Sequence, residues 1–219
     1  MAATKEQIVS DIELRLTQGK PSADFGVPKA QIERWVDIAR DKYVTEYVIE
    51  SMKVGGIHGI DPADISQANG AISAVAGVGH RFTSTSDILD IPPQDSGLLK
   101  VSLVETATNT YTRIEKTDIF TNDIIEDMEF SAATLAKPTC YRVATDIYIK
   151  GLGSITVGDY LLQIEYIQSM TGGVASYLVA DNHVYDITLL AEEIGRREIG
   201  LPVISDEVND GSQNSQLKK

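Results

Sequence analysis

Apolar residues in this chain recur with a helical period near both ends and alternate with polar ones in the middle. Ile8, Val9, Ile12 and Leu16 fall on one helical face. Thr4-Lys5-Glu6-Gln7 ahead of them has the form of a capping box, in which Thr4 accepts from the Gln7 amide and Gln7 reaches back. Gly19-Lys20-Pro21-Ser22 should end that helix. A second helix is expected to start at Pro28, whose missing N–H costs nothing in a first turn. Ile32, Trp35, Val36, Ala39, Tyr43, Val44, Tyr47 and Val48 give it a broad apolar face, and Gly55-Gly56 should stop it after about residue 53. A last helix is expected over 184–199, capped by Asp181-Asn182, with Ile187, Leu190, Ala191 and Ile194 as its stripe. Arg196 and Arg197 then lie at the negative end of the helix dipole, and Gly200 and Pro202 terminate the run.

The middle of the chain reads as strand. Leu99, Val101 and Leu103 alternate along one predicted strand, and residues 111–114 form another. The best-formed stretch is 138–167, expected as three strands broken by Gly151, Gly153 and Gly158, with a turn near Ala144-Thr145-Asp146. These predict an antiparallel meander closing, with the 98–114 strands, into a small barrel or sandwich. Residues 55–86 are rich in Gly, Ala and Ser and read as a loop, or as a segment ordered only by a neighbouring subunit. A short helix is assigned to 118–127. The expected class is α+β: a helical bundle from the N- and C-terminal helices plus a small antiparallel β barrel or sandwich. Its expected parts are 1–55 with 181–200 (helical), 56–86 (loop-rich insertion), 87–173 (β domain) and 201–219 (polar tail).

Composition narrows the functional classes. The chain has 219 residues, with 42% hydrophobic and 23% charged positions, a globular balance with room for a real core. No apolar run approaches the length needed to cross a bilayer, and the opening MAATKEQIVSDIELRL lacks a signal-peptide layout. The single cysteine, Cys140, falls inside a strand pattern and reads as a small buried apolar residue. With 32 acidic against 19 basic residues, the net charge is −13. Such a surface repels nucleic acid, so wrapping or sequence reading is disfavoured, while an acidic wall would let DNA pass without sticking.

Reactive motifs are not spelled out. His58, His80 and His183 are scattered without a second ligand at metal spacing, and read as surface or loop histidines. Gly151-Leu152-Gly153 joins two predicted strands and opens no helix, so it is a turn and not a phosphate cradle. Asp206–Gly211 fails as a calcium loop, because Val208 takes a ligand position and Leu217 stands where the bidentate acid belongs. There is no G-x-S-x-G elbow, and carboxylates such as Asp118, Asp123, Glu126 and Asp127 read as a solvated acidic face. No catalytic residue, metal or cofactor is assigned.

Two segments together carry a resemblance. One is Asp87-Ile88-Leu89-Asp90-Ile91-Pro92 followed by Asp95 and Gly97-Leu98; the other is Pro138-Thr139-Cys140-Tyr141-Arg142-Val143 with Ile147-Tyr148-Ile149, Gly151 and Ile155-Thr156-Val157. With the ATKEQIVSDIELRLTQGKPS entry and the Asn209-Asp210-Gly211 tail, the chain resembles neck or ring proteins of tailed phages, in particular crAss-like and related short-tailed phages. The resemblance spans most of the chain but not residues 50–86. It implies a virion structural protein without enzyme activity: a head-to-tail adaptor ring of about twelve copies. That ring would dock beneath the portal protein and contact neighbouring neck or tail ring proteins. DNA would pass through its channel without sequence-specific binding, and no membrane would be involved. The location implied is the virion neck, after assembly in the host cytoplasm. Helices would form the inter-subunit bundle, placing Trp35, Ala39, Tyr43 and Tyr47 on the contact face. The tail from Gly200, Leu201, Pro202, Val203 and Ile204 onward would insert into the portal. A tail-tube, lower-collar or head-completion protein is the alternative within the virion, and an enzyme or carbohydrate-binding module is the alternative outside it.

Overall fold

Thr4 starts the first helix as its sequence requires. Its hydroxyl accepts from the Gln7 amide at 3.3 Å, and the Gln7 side chain accepts from the Thr4 amide at 2.9 Å. In the computed structural model, which describes residues 3–17, 26–75, 79–92, 97–117, 134, 136–153, 155–171 and 174–201, helix α1 (Lys5–Leu16) then buries Ile8, Val9, Ile12 and Leu16. Helix α2 (Lys29–Gly55) follows Pro28 directly, and the Pro28 carbonyl accepts from the Gln31 amide. Helix α3 (Asp181–Glu198) has Ala180 as its N-cap, with no side chain bonded to the cap. Asp181 is therefore a first-turn acid and not the cap expected of it, where its charge still suits the positive end of the dipole. The helix ends with Gly200 at φ +71°, and the Leu201 and Gly200 amides bond back to the carbonyls of Arg196 and Arg197 at 2.8 and 3.4 Å. This is a Schellman closure, which the left-handed conformation of a glycine makes inexpensive.

The chain divides into two compact units, one drawn from residues up to 43 and from 173 onward, the other from 44–172. In the helical unit α1, α3 and the first half of α2 share one core around Trp35, with Ile8, Ile12, Ile32, Val36, Ala39, Ile187 and Ala191. A two-stranded antiparallel pair, β1 (Ala3–Thr4) and β10 (Leu178–Val179), ties the chain entering α1 to the chain entering α3.

The second unit is an eight-stranded sheet in the order β2-β9-β5-β6-β7-β8-β4-β3. Its strands are β2 (Ile65–Ala71), β3 (Ser73–Val75), β4 (Gly79–Thr83), β5 (Leu98–Glu105), β6 (Thr110–Lys116), β7 (Thr139–Val143), β8 (Asp146–Lys150) and β9 (Tyr160–Ile167). The two edge strands, β2 and β3, are separated only by Ile72. Residues 65–71 pair with β9 and residues 73–75 with β4, so one stretch of chain belongs to both edges and closes the sheet. Strand β6 turns the opposite corner: residues 110–114 pair with β5, and Glu115 and Lys116 run parallel to β7. Inside lie Ile72, Phe82, Leu98, Val101, Leu103, Ile114, Cys140, Ile147, Ile149, Leu162, Ile164 and Tyr166. The α+β class and the barrel thus stand, and Cys140 is buried as expected.

Several expectations change. Residues 65–75 and 79–83 are not loop but strands of the same sheet, so the β structure starts well before residue 87. Their small residues follow from packing: a β-carbon on Gly70 would come 2.4 Å from the Phe82 ring, which occupies that space. The 138–167 stretch does supply three strands, but not a meander. Strands β7 and β8 form a hairpin, whereas β9 crosses to pair with β2 and β5. One pairing, β6 with β7, is parallel, so the sheet is mixed. Leu98, Val101 and Leu103, not Leu99, share the interior, because the β5–β9 register shifts between Leu98 and Lys100. A bulge there reverses the phase of the preceding residue. The helix assigned to 118–127 and the Gly172-Gly173 stop lie outside the described residues.

Candidate functional site

The helix face expected to meet other subunits is largely used up inside the chain. Trp35 and Ala39 are fully buried against α1 and α3, so they do not form a contact face as expected. Helical spacing placed them correctly on an apolar stripe, but their own chain covers it. Trp35 donates its indole N–H to Glu198 Oε2 at 2.6 Å, and Gln31 donates to the same oxygen at 3.2 Å. These donors hold the exposed Glu198 carboxyl below the ordinary glutamate range. Tyr43 is half-buried, its ring 5.1 Å from that of His183, and Tyr47 is half-buried with its hydroxyl donating to the Gly59 carbonyl at 3.0 Å. Gly200 and Leu201 of the expected docking tail make the α3 closure described above. Pro202, Val203 and Ile204 lie outside the described residues.

A buried polar network in the helical unit was not legible beforehand. Lys5 Nζ donates to Asp37 at 2.9 Å and to the Val174 carbonyl at 3.1 Å, and sits 5.6 Å from the Tyr177 ring centroid. Tyr177 donates its hydroxyl to the other Asp37 oxygen at 2.9 Å. Arg40 and Asp41 pair one turn further along α2, also buried. Burial pushes the Asp37 carboxyl above its ordinary pKa, although the donors from Lys5 and Tyr177 oppose this. Burial and the adjacent Asp37 charge raise the Tyr177 phenol. The network contains an acid, an amine and a phenol that satisfy one another, with Lys5 and Asp37 buried and Tyr177 half-buried. It fixes α1, α2 and the 174–177 segment to one another.

The histidines are less exposed than expected. His58 is exposed, but His80 is buried within β4 and His183 within the first turn of α3. Burial lowers the His80 pKa. Among the described residues no three His, Cys, Asp or Glu side chains are grouped to hold a metal ion, and no helix is long and apolar enough to cross a membrane.

On the outside of the barrel the β5 and β6 strands and the chain entering β7 line a groove of about 520 Å³. Lys100, Arg113, Lys116 and Lys137 surround it, with Glu115 among them. Lys100 pairs with Glu165 at 3.3 Å, and Lys116 donates to the Leu98 carbonyl. Four bases spread over residues 100–137 give no sequence signal; only the strand pairing brings them together.

Compared with protein-family models and with curated proteins, the chain matches none.

Proposed function

We propose that this protein is a phage virion structural protein, a head-to-tail adaptor ring that binds the portal and forms part of the DNA exit channel. The observation that supports this best is the way the chain is divided: a helical unit is left at residue 43, a closed barrel is built, and the same helical unit is re-entered at 173. An adaptor subunit needs such a pairing, since helices can stack around a ring while a separate β module spaces them. The charge balance suits the same role, because a wall of net-negative subunits keeps a passing DNA duplex from adsorbing. The resemblance of the 87–98 and 138–157 segments to neck proteins supplies the identity of the ring.

The reading is tested by mass. Native mass spectrometry of the purified chain, alone and mixed with portal protein, should show a ring of about twelve copies or its complex with portal. A chain that stays monomeric and ignores portal would overturn it. A ring that forms without portal affinity would move the protein to a tail-tube, lower-collar or head-completion position.

A further inference from the structure

We infer that the groove between β5, β6 and the start of β7 is an inter-subunit contact that receives carboxylates of a second copy of this chain; the inference rests on the ring reading above. Residues 44–172 carry 8 basic residues against 17 acidic ones, yet half of those bases surround this one groove. Within it, Lys100 and Lys116 are already engaged, with Glu165 and with the Leu98 carbonyl. The Arg113 and Lys137 side chains are exposed and have no ion-pair or hydrogen-bond partner among the described residues. A local cation excess on a chain of net charge −13 is a complementary surface for that chain's own acidic exterior.

Ring closure asks for this asymmetry. A cyclic assembly with more than two members uses heterologous contacts, in which one patch of each copy meets a different patch of the next. Copies that are net negative repel one another as bodies, so a closing contact must bring positive charge to the seam. Arg113 adds a planar fork that can take a carboxylate with two parallel hydrogen bonds, which Lys137 on the other wall cannot. Both lie on the outer surface of the barrel, where charge reversal leaves the interior untouched.

The test compares the unmodified chain with an Arg113→Glu/Lys137→Glu variant and an Arg113→Gln/Lys137→Gln variant. Mass photometry across a dilution series reads self-association, and circular dichroism confirms that each variant folds. The expected result is a loss of ring affinity of at least about tenfold for the neutral variant and more for the reversed one. If the reversed variant fails to fold, the neutral variant carries the test alone. A wild-type ring that both variants reproduce would overturn the groove while leaving the ring reading in place. A wild-type chain that never self-associates, alone or with portal protein, would overturn both. Binding of inorganic phosphate or a single-stranded oligonucleotide that the variants abolish, with ring formation unchanged, would show an anion-ligand site in place of a subunit contact.

Discussion

The ring of Trp35 lies against Gly195 so closely that a β-carbon on Gly195 would sit 2.6 Å from a ring carbon. Helix α3 therefore needs a notch where α2 presents its largest side chain. This close approach, with the Trp35–Glu198 hydrogen bond one turn away, sets how the two helices pack within their unit.

Gly195→Ala should destabilise the helical unit by about 1–3 kcal/mol, because Trp35 is fully buried and has no room to withdraw. The sign is informative, since alanine raises intrinsic helix propensity by about 1 kcal/mol and would stabilise an open position. Urea unfolding followed by the emission of Trp35, the single tryptophan, measures it.

Asp37→Ala should cost about 3–5 kcal/mol, since it leaves the Lys5 ammonium buried without its counter-charge. The double replacement Lys5→Met/Asp37→Leu should recover most of that loss, because two apolar side chains avoid desolvating either charge. Thermal unfolding of Lys5→Met, Asp37→Leu and the double variant forms the required cycle, with Asp37→Ala read beside it.

Two groups should make stability fall on acidification, in different windows. His80 has a depressed pKa from burial, so the folded barrel binds its proton less readily than the unfolded chain does. Its contribution is complete above about pH 6.5 and is lost as pH falls below that value. Glu198 is also depressed, by the Trp35 and Gln31 donors, so its contribution is complete above about pH 4.3 and is lost as pH falls through its lowered value. Asp37 has the opposite sign: its raised pKa favours the folded state as it protonates. His80→Gln should flatten the stability profile below about pH 6.5, and Glu198→Gln should flatten it below about pH 4.3. Denaturant midpoints across the pH range resolve the two.

Ala144 holds φ at +55° in the two-residue turn between β7 and β8, a left-handed conformation that an L side chain adopts at a cost. Ala144→Gly should therefore raise stability by about 0.5–1 kcal/mol, despite the entropy glycine adds to the unfolded chain. A higher thermal midpoint with unchanged far-ultraviolet circular dichroism is the expected result.

By itself the sequence determined what depends on neighbours within a few residues. The Thr4–Gln7 cap, the faces of α1 and α2, the arginines closing α3, the Ala144 turn and the burial of Cys140 all follow from local periodicity and chemistry. What only the tertiary structure decided depends on residues far apart in the chain. Strand β2 looked like loop because its partner, β9, lies some ninety residues on, and because Phe82 supplies the bulk that Gly70 lacks. The inward face of β5 required the bulge at Leu98, whose register is set by β9. Lys5 and Asp37 are 32 residues apart, and nothing local marks either as the other's partner. The same holds for the cations of the outer groove. Short-range preferences fix where an element starts and which way its side chains point, while pairing across the fold fixes which elements meet and which charges are left facing outward.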